Sequence, residues 1–389
     1  MTIQAIILDL SDTLLNNSDQ VVPGVSDMIA RLKNQNIDIF IASNNRYDTH
    51  KLKRLLNIDD HRFLYPKKVG GIKGTRSFVN YVCSQLGISP NKLLYLGDSQ
   101  NDFTEAVNSN VIFFLASWSN PSFPYGIAVN DPSGFADIVE TFFLKDELWY
   151  YYVEDKDRLG REVVVRALLN PDISKDTGIT SILKNKGKYA GDRRIKSFKI
   201  DEYLNLHLLA SIYLEGLHVR SSDGKPIWCL YPGHEGDYGS VLDSFTKMGS
   251  RLFREQYKQE LIQRHTDAPS NMEVRLSGGT PIIDTQLQTI QLNPQFKDKI
   301  KDHPVIVIDD FTTESYGFET ARNFLFNAEA SSVICIAVGK YGIYPKLYNA
   351  FYAEADVEWD SFAPTSLTQR DFDANRISAQ FNDSALDFF

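Results

Sequence analysis

The sequence predicts an α/β protein that is built from two domains. The chain has 389 residues, which is long enough for two domains of ordinary size. Short apolar runs recur along it, and each has the length of a strand that is buried on both faces. The clearest runs are Ile3–Leu8, Ile37–Ala42, Leu93–Leu96 and Val305–Ile308. Stretches with apolar residues at helical spacing separate these runs, and this alternation is typical of an α/β sheet protein.

Composition limits the classes of partner. The net charge of −9 is spread along the chain, which argues against a general nucleic-acid-binding protein. The three cysteines, Cys83, Cys229 and Cys335, lie far apart without metal-ligand spacing, which suits a reducing compartment. The chain shows neither a basic-then-apolar N-terminal signal nor an apolar run of membrane-spanning length. We therefore expect a cytoplasmic protein that binds small molecules, without a membrane partner, and that can form a homo-oligomer.

The first apolar run ends in a cluster of polar residues. Asp9, Ser11, Asp12 and Thr13 follow it within the segment DLSDT. A carboxylate at the carboxyl end of a buried strand lies where α/β sheets bind their ligands. The alternative interpretation is a strand that is followed by an ordinary Asp/Ser turn.

Other polar residues follow the next predicted strands. Ser43 comes directly after Ile37–Ala42, where a hydroxyl can donate to a phosphate oxygen or simply cap a turn. Asp98 follows the strand at Leu93, and Asp102 comes four residues later. These two acids could also be a turn residue and a helix cap. Lys73 stands in the glycine-rich segment GGIKGT, with Lys67 and Lys68 as rival candidates for the same role.

The order of these residues resembles the four motifs of haloacid dehalogenase-like phosphohydrolases. The resemblance implies the following roles: Asp9 is the nucleophile, Thr13 the first-motif threonine, Ser43 the second-motif hydroxyl, Lys73 the third-motif lysine, and Asp98 and Asp102 the fourth-motif acids that hold Mg²⁺ together with Asp9. It covers about residues 1–144 and implies a Rossmann-like parallel sheet. Carboxylate oxygens are ligands that Mg²⁺ accepts.

Two features separate this chain from the usual family pattern. Ser11 stands where the family has a second aspartate, the general acid/base, and the loss of such a group typically costs ~10²–10⁴ in rate. Asp12 is an alternative acid, although it has the wrong parity along the motif. The intervals after the first motif and between Ser43 and Lys73 are short, which predicts a capless domain. The site is therefore expected to be a slow phosphatase, a phosphotransferase or a site that only binds.

A second cluster of polar residues follows the apolar run Val305–Ile308. Asp309 and Asp310 end this predicted strand, and a Thr/Ser loop leads to a helix predicted from about Phe318. A strand, a loop and a helix N-terminus form an anion-binding arrangement, because free N–H groups and the helix dipole meet the anion. The two carboxylates could accept hydrogen bonds from ribose hydroxyls, so the segment suggests a sugar 5-phosphate site. The alternative is a strand that is followed by a capped helix.

This segment resembles the phosphoribosyl-pyrophosphate motif of type I phosphoribosyltransferases. Within that family, it is most similar to the ComF-like branch. The resemblance implies that the phosphoribosyl group is held by Asp309, Asp310, Thr312, Thr313, Ser315, Tyr316 and Gly317. Glu314 stands where a threonine is usual, and we expect its carboxylate to point to solvent. The resemblance also places a strand at Ile227–Tyr231, a helix at Val241–Arg264 and a strand at Val333–Val338, and it leaves Arg264 and Arg275 available to phosphates.

The predicted organisation has four parts. A capless haloacid dehalogenase-like domain spans residues 1–144, a linker and helical region 145–224, a phosphoribosyltransferase-like domain 225–350 and a tail 351–389. The basic stretch Lys184–Lys199 is either a solvated linker or a phosphate-contacting patch. The predicted function is Mg²⁺-dependent phosphohydrolase or phosphotransferase chemistry, joined to a domain for nucleotide or phosphoribosyl substrates. The alternative is a low-turnover regulatory or toxic effector of a defence or stress system that binds a nucleotide signal.

Overall fold

The computed structural model describes residues 2–146, 148–157, 159–169, 200–219, 225–269, 271–341, 347–351 and 366–370. The chain folds into two compact units. The first unit consists of Met1–Asp146, Leu209–Leu217 and Leu252–Arg254; the second consists of Glu147–Leu208, His218–Arg251 and Glu255–Phe389. The basic stretch Lys184–Lys199 lies outside the described residues, as does the tail from residue 371.

The first unit alternates strands with helices along residues 5–138. Its strands are β1 (Ala5–Asp9), β2 (Asp38–Ala42), β3 (Phe63–Leu64), β4 (Leu93–Gly97), β5 (Ile112–Ala116) and β6 (Ile127–Val129). Its helices in this stretch are α1 (Val25–Asn34), α2 (Thr49–Leu56), α3 (Pro66–Val69), α4 (Ser77–Leu86), α5 (Gln100–Asn108) and α6 (Pro132–Ile138).

The strands of the first unit form one six-stranded sheet in the order β3-β2-β1-β4-β5-β6. Every pairing in it is parallel. All five residues of β1 are buried, as expected for a parallel strand that is covered on both faces. Ala5 and Ile7 pack into one hydrophobic cluster with residues of α4 and α5, and the alternation along a strand sends Ile6 and Leu8 to the opposite face. The predicted α/β class and parallel sheet are confirmed for this unit.

The topology of this sheet places its functional edge. β1 lies between β2 and β4, so the residues that follow these three strands meet at one edge of the sheet. The strand order changes direction at β1, and such a switch point leaves a crevice outside the carboxyl ends of the strands. Between the strands, residues 10–24 and 43–76 form turns, bridges, short helices and β3, so these fully described segments hold no inserted cap domain.

The second unit has a mixed sheet. Its strands are β7 (Tyr151–Lys156), β8 (Glu162–Leu169), β9 (Ile227–Leu230), β10 (Gln256–Tyr257), β11 (Ile262–Arg264), β12 (Ile290–Leu292), β13 (Pro304–Thr312), β14 (Ser332–Lys340), β15 (Leu347–Phe351) and β16 (Ser366–Arg370). The helices after α6 are α7 (Ile200–Glu215), α8 (Ser240–Leu252), α9 (Asn271–Leu276), α10 (Ile283–Thr289), α11 (Lys297–Ile300) and α12 (Tyr316–Asn327).

The main sheet of the second unit has the order β10-β9-β13-β14-β8-β7. Its pairings are parallel except for the edge pair of β7 with β8. β13 lies between β9 and β14, and residues of α10 and α12 pack in the same hydrophobic cluster as its side chains. Two antiparallel pairs, β11 with β12 and β15 with β16, lie outside this sheet. The second unit is thus also α/β, with a sheet that is mostly parallel.

Two segments of the second unit differ from the sequence-based prediction. Residues 151–169, predicted as part of a linker, form β7 and β8 of the main sheet. β7 alternates buried and exposed residues, and charged side chains on its exposed positions make it resemble a solvated linker. The helix predicted to reach Arg264 ends at Leu252, and Arg254 adopts a left-handed φ of 54°. No described helix is both long and apolar enough to cross a membrane.

Candidate active site

Asp9 is the last residue of β1, and its carboxylate lies at the edge of the first sheet. The side chain is buried, and the Thr13 hydroxyl donates to its Oδ2 at 3.1 Å. The chain between them turns tightly, because the backbone N–H groups of Leu14 and Leu15 both donate to the carbonyl of Leu10. This turn brings Thr13 back to the carboxylate that it follows by four residues. Thr13 therefore orients the Asp9 carboxylate.

Ser43 lies next to this turn because β2 pairs with β1. Asp9 is the register partner of Ala42, so Ser43 directly follows the residue beside the Asp9 backbone. The Ser43 side chain is buried, and its Oγ accepts from the N–H of Asn45 at 3.1 Å. Its hydroxyl proton is thus directed elsewhere, and a phosphate oxygen is a suitable acceptor for it.

Lys73 makes the central ion pairs of the site. Its Nζ contacts Oδ1 of Asp9, and it lies 2.9 Å from Oδ1 of Asp102. Burial would lower the pKa of Lys73, but the Asp9 and Asp102 carboxylates more than offset this and hold its pKa above the usual range. Lys73 therefore keeps its proton.

The rival lysines lie elsewhere. Lys67 is exposed, and the Lys68 ammonium donates to the carbonyls of His61 and Phe63. Lys73 itself is fixed through its backbone, because its N–H donates to Oδ1 of Asn44 at 2.9 Å. Of the three candidate lysines, Lys73 is the one that the structure brings to Asp9.

Asp98 and Asp102 lie beyond the end of β4. Oδ2 of Asp98 accepts from the Ser119 hydroxyl at 2.9 Å, and Oδ1 of Asp102 accepts from the Tyr95 hydroxyl at 2.9 Å. Asp102 also closes a capping box with Ser99 at the start of α5. Gly97 is required at this point, since a Cβ there would lie 2.6 Å from Cβ of Asp102. The glycine of the GD motif thus makes room for the second acid.

Three carboxylates converge at this edge. Asp9, Asp98 and Asp102 each offer an oxygen atom, and these atoms lie within 4.8 Å of one another. Burial, together with the charge of Asp102, raises the pKa of Asp9 to about 8 in spite of Lys73. Burial likewise raises the pKa of Asp98. A divalent cation would relieve this repulsion, and an all-oxygen ligand set suits Mg²⁺, so the residues fit the predicted ion.

Glu105 is a residue of this site that the sequence reasoning missed. It is fully buried on α5, and its carboxylate accepts from the backbone N–H groups of Gly74, Arg76, Phe78 and Val79 at 2.8–3.1 Å. These groups belong to the segment after Lys73 and to the first turn of α4. Glu105 therefore anchors the loop that presents Lys73. Its one sequence signal is an acidic residue on the apolar face of a helix, three positions after Asp102.

We expect Glu105→Ala to destabilise the first unit. The change leaves four backbone donors without their acceptor, and a buried donor that is left unsatisfied costs ~1–3 kcal/mol. A loss of about 3 kcal/mol, because some donors will find water, corresponds to a fall of roughly 6–12 °C in Tm. Thermal unfolding followed by circular dichroism measures this. Asn101→Ala, at an exposed position of the same helix, is the control; equal Tm values for both variants would contradict the anchoring role.

Ser11 lies where the resemblance implies a general acid/base. Its hydroxyl oxygen lies 3.1 Å from the hydroxyl oxygen of Tyr47, a residue of the loop after β2. Asp12, the alternative acid, adopts a left-handed φ of 61° in the same turn. Position 11 therefore carries a hydroxyl group, paired with a phenolic one, beside the turn that follows Asp9.

In the second unit, β13 continues past the two acids. Its pairing with β14 extends to Thr312 opposite Lys340. Asp309 and Asp310 therefore lie within the strand, whereas the sequence had predicted them at its end. Each of the two carboxylates accepts a hydrogen bond from the backbone N–H of the next residue: Asp310 donates to Asp309 at 2.8 Å, and Phe311 donates to Asp310 at 2.6 Å. Burial and the neighbouring Asp310 hold the pKa of Asp309 well above its usual range.

The loop between β13 and α12 is short. Ser315 caps the helix with a left-handed φ of 64°, and the helix begins at Tyr316 instead of Phe318. Thr312 and Ser315 are buried, and the Thr312 hydroxyl donates a hydrogen bond to the Ser315 hydroxyl at 3.3 Å. The Lys340 ammonium donates to the carbonyl of Thr313.

Gly317 serves close packing in this arrangement. A Cβ at this position would lie 2.8 Å from the ring of Tyr231, the residue that follows β9. The glycine therefore lets the first turn of α12 approach that ring.

The charged residues near this loop are engaged with one another. The Glu314 carboxylate was expected to point to solvent, but the side chain is only 21% exposed. The carboxylate lies 3.5 Å from the Arg275 guanidinium. Arg264 donates to the carbonyl of Gly233 at 2.6 Å and to Gln286 at 2.9 Å. Both arginines that were predicted to be available to phosphates thus have protein partners.

Comparison with known protein families supports the family resemblance of the first unit. Residues 3–116 match the family model described as haloacid dehalogenase-like hydrolase. Residues 3–116 therefore form a haloacid dehalogenase-like domain, as the motifs predicted. The match includes no residue of the second unit, where the phosphoribosyltransferase-like assignment stays a prediction. No curated protein was found to be similar in sequence.

The search of solved structures found, among others, two hydrolases at low identity. A haloacid dehalogenase-superfamily hydrolase of subfamily IA from Geobacter sulfurreducens has 14% identity and a TM-score of 0.31, and the match covers 35% of this chain and 99% of that one. The cobalt-bound form of the deoxy-D-mannose-octulosonate 8-phosphate phosphatase from Haemophilus influenzae has 12% identity and a TM-score of 0.29, with coverage of 36% and 87%.

Proposed function

We propose that the first unit is a Mg²⁺-dependent phosphohydrolase or phosphotransferase that acts on a small phosphorylated substrate. The observation that carries this proposal is the contact of Asp9 with Lys73 inside a cluster that also holds Asp98 and Asp102. A carboxylate can act as a covalent nucleophile, and phosphoryl transfer depends mainly on positioning and charge neutralisation. The capless edge of the sheet suits an open site.

The residues divide the reaction among them. Asp9 attacks the phosphorus atom and forms an aspartyl phosphate, while Thr13 holds the other carboxylate oxygen in place. Lys73 neutralises charge on the nucleophile and on the phosphoryl oxygens, and the Ser43 hydroxyl binds one of these oxygens. Asp9, Asp98 and Asp102 would hold Mg²⁺, which supplies further charge neutralisation to the phosphoryl group. Water then hydrolyses the aspartyl phosphate, or an acceptor hydroxyl takes the phosphoryl group.

Release of inorganic phosphate tests this proposal. We expect the purified protein to hydrolyse p-nitrophenyl phosphate with Mg²⁺, and a chelator to abolish the reaction until Mg²⁺ is added back. The Asp98→Asn variant should need a higher Mg²⁺ concentration, because it removes one charged ligand. Hydrolysis that is unchanged by the chelator would contradict the role of the cation.

For the second unit we propose binding of a phosphoribosyl or nucleotide ligand at Asp309, Asp310 and the loop 312–317. The support is the parallel strand order around β13, with buried hydroxyl-bearing residues in a short loop before α12. The Glu314–Arg275 pair sets the expected strength of binding, because an entering phosphate must compete with the Glu314 carboxylate for the arginine.

Titration calorimetry with phosphoribosyl pyrophosphate and with nucleoside monophosphates tests this binding. We expect Glu314→Thr to bind at least about tenfold more tightly than the wild type, because it removes a negative charge and releases Arg275. Asp284→Asn, which also removes one negative charge from this unit, is the control for a general charge effect. Absence of binding in both the wild type and Glu314→Thr would leave this unit as an interaction module.

A low-turnover effector that binds a nucleotide signal is the second candidate function. Two observations favour it: Ser11 lacks the carboxyl group of a general acid, and Glu314 of the candidate phosphate loop pairs with Arg275. Tight nucleotide binding by the second unit, with phosphate release no faster than a single turnover, would support this alternative.

A further inference from the structure

We propose that Tyr47 donates the proton to the leaving group in the phosphoryl transfer of the first unit, with Ser11 holding its hydroxyl in place. This inference rests on the proposed function. It starts from the 3.1 Å contact between the Ser11 and Tyr47 hydroxyl oxygens. A phenol is a far stronger acid than an aliphatic hydroxyl, and tyrosine is among the side chains that serve as general acids.

The position of Tyr47 suits this role. Ser11 follows the proposed nucleophile Asp9 by two residues, so a side chain that contacts Ser11 also lies beside the turn that follows Asp9. Tyr47 itself stands four residues after Ser43, and both residues line one pocket at the edge of the sheet. Its ring is only half-buried. The ring is therefore partly packed against the protein and partly accessible to solvent.

The other protonated groups at Asp9 are committed to different contacts. The Lys73 ammonium binds two carboxylates, which favours its charged form. The Thr13 hydroxyl already donates to Asp9. Ser43 and Ser11 are aliphatic alcohols, whose protons are held too tightly for donation to a leaving oxygen. Of the hydroxyl and ammonium groups described at this turn and in contact with it, Tyr47 therefore remains as the proton donor.

The proton balance of the reaction closes on this residue. As the Asp9 oxygen bonds to phosphorus, the bond from phosphorus to the leaving oxygen breaks, and that oxygen takes the phenolic proton of Tyr47. The product alcohol leaves, and Ser11 donates a hydrogen bond to the tyrosinate. In the second step water attacks the aspartyl phosphate and gives a proton to the tyrosinate. Inorganic phosphate, the Asp9 carboxylate and the neutral phenol result.

Dependence on the leaving group distinguishes a proton donor from a structural residue. A general acid matters most when the leaving group is a poor one, so we compare p-nitrophenyl phosphate with phenyl phosphate. Tyr47→Phe should lower kcat/KM for phenyl phosphate at least about tenfold more than for p-nitrophenyl phosphate. Tyr81→Phe, at a half-buried position on α4, is the matched control and should leave both values within about twofold, since it touches no reacting group.

Each outcome decides the question. An equal loss for the two substrates, or no loss for either, overturns the role of Tyr47 and leaves the phosphohydrolase proposal intact. Absence of wild-type hydrolysis of both substrates with Mg²⁺ overturns the proposed function and this inference with it. A rescue variant guards against a folding defect: Ser11→Asp in the Tyr47→Phe background should recover activity toward phenyl phosphate, because it supplies a carboxyl group at the same place.

Discussion

Asp9→Asn should reduce phosphate release at least about 10³-fold, because it removes the nucleophile on which the chemistry depends. Asparagine has the same shape as aspartate but lacks the negative charge that attacks phosphorus. The variant should still fold, since the amide oxygen can accept from Thr13 and Lys73 keeps its ion pair with Asp102. The hydrolysis of p-nitrophenyl phosphate with Mg²⁺ measures the effect.

The control for this prediction is Asp27→Asn, at an exposed position of the first turn of α1. It removes the same charge from the same unit and should keep full activity. An Asp9→Asn enzyme that retains a tenth or more of the wild-type rate would show that Asp9 is not the nucleophile.

Ser11→Asp should raise the turnover number by about 10- to 100-fold, at or below the lower limit of the ~10²–10⁴ that a positioned general acid contributes. The carboxyl group can protonate the leaving oxygen and then activate water, and a carboxyl group whose pKa lies near the working pH does both better than a phenol. The gain is limited because Tyr47 already supplies part of this function. Steady-state kinetics with phenyl phosphate provides the measurement.

Ser26→Asp, at an exposed position of α1, is the control for added charge. A Ser11→Asp variant that is no faster than the wild type would mean that another group already serves fully as the acid, or that the site is not a phosphatase.

The parts of the fold that the sequence predicted are those in which local pattern and burial agree. β1, β2 and β4 consist almost entirely of apolar residues, and they lie where the apolar runs of the sequence predicted strands. The residues that follow these strands could be placed together because parallel strands end at one edge of a sheet.

The parts that were not predicted depend on tertiary context. β7 and β8 resemble a charged linker, because Arg166 is buried in β8 and paired with Glu154 at 2.8 Å, a contact that the sequence alone does not reveal. Glu105 and Tyr47 belong to no motif, and only the folded chain brings the first to the Lys73 loop and the second to Ser11. The prediction that Glu314 points to solvent was wrong. Its partner Arg275 is distant in sequence, so the pair could not be inferred from the sequence.

Detection of a phosphoryl group on Asp9 tests the central claim most directly. The wild-type protein is mixed with p-nitrophenyl phosphate and Mg²⁺, quenched in acid and examined by intact-mass and peptide mass spectrometry. We predict an adduct of one phosphoryl group on the peptide that contains Asp9, removable by hydroxylamine and missing from Asp9→Asn. Phosphate release without an adduct on that peptide, or an adduct that persists in Asp9→Asn, would contradict the account.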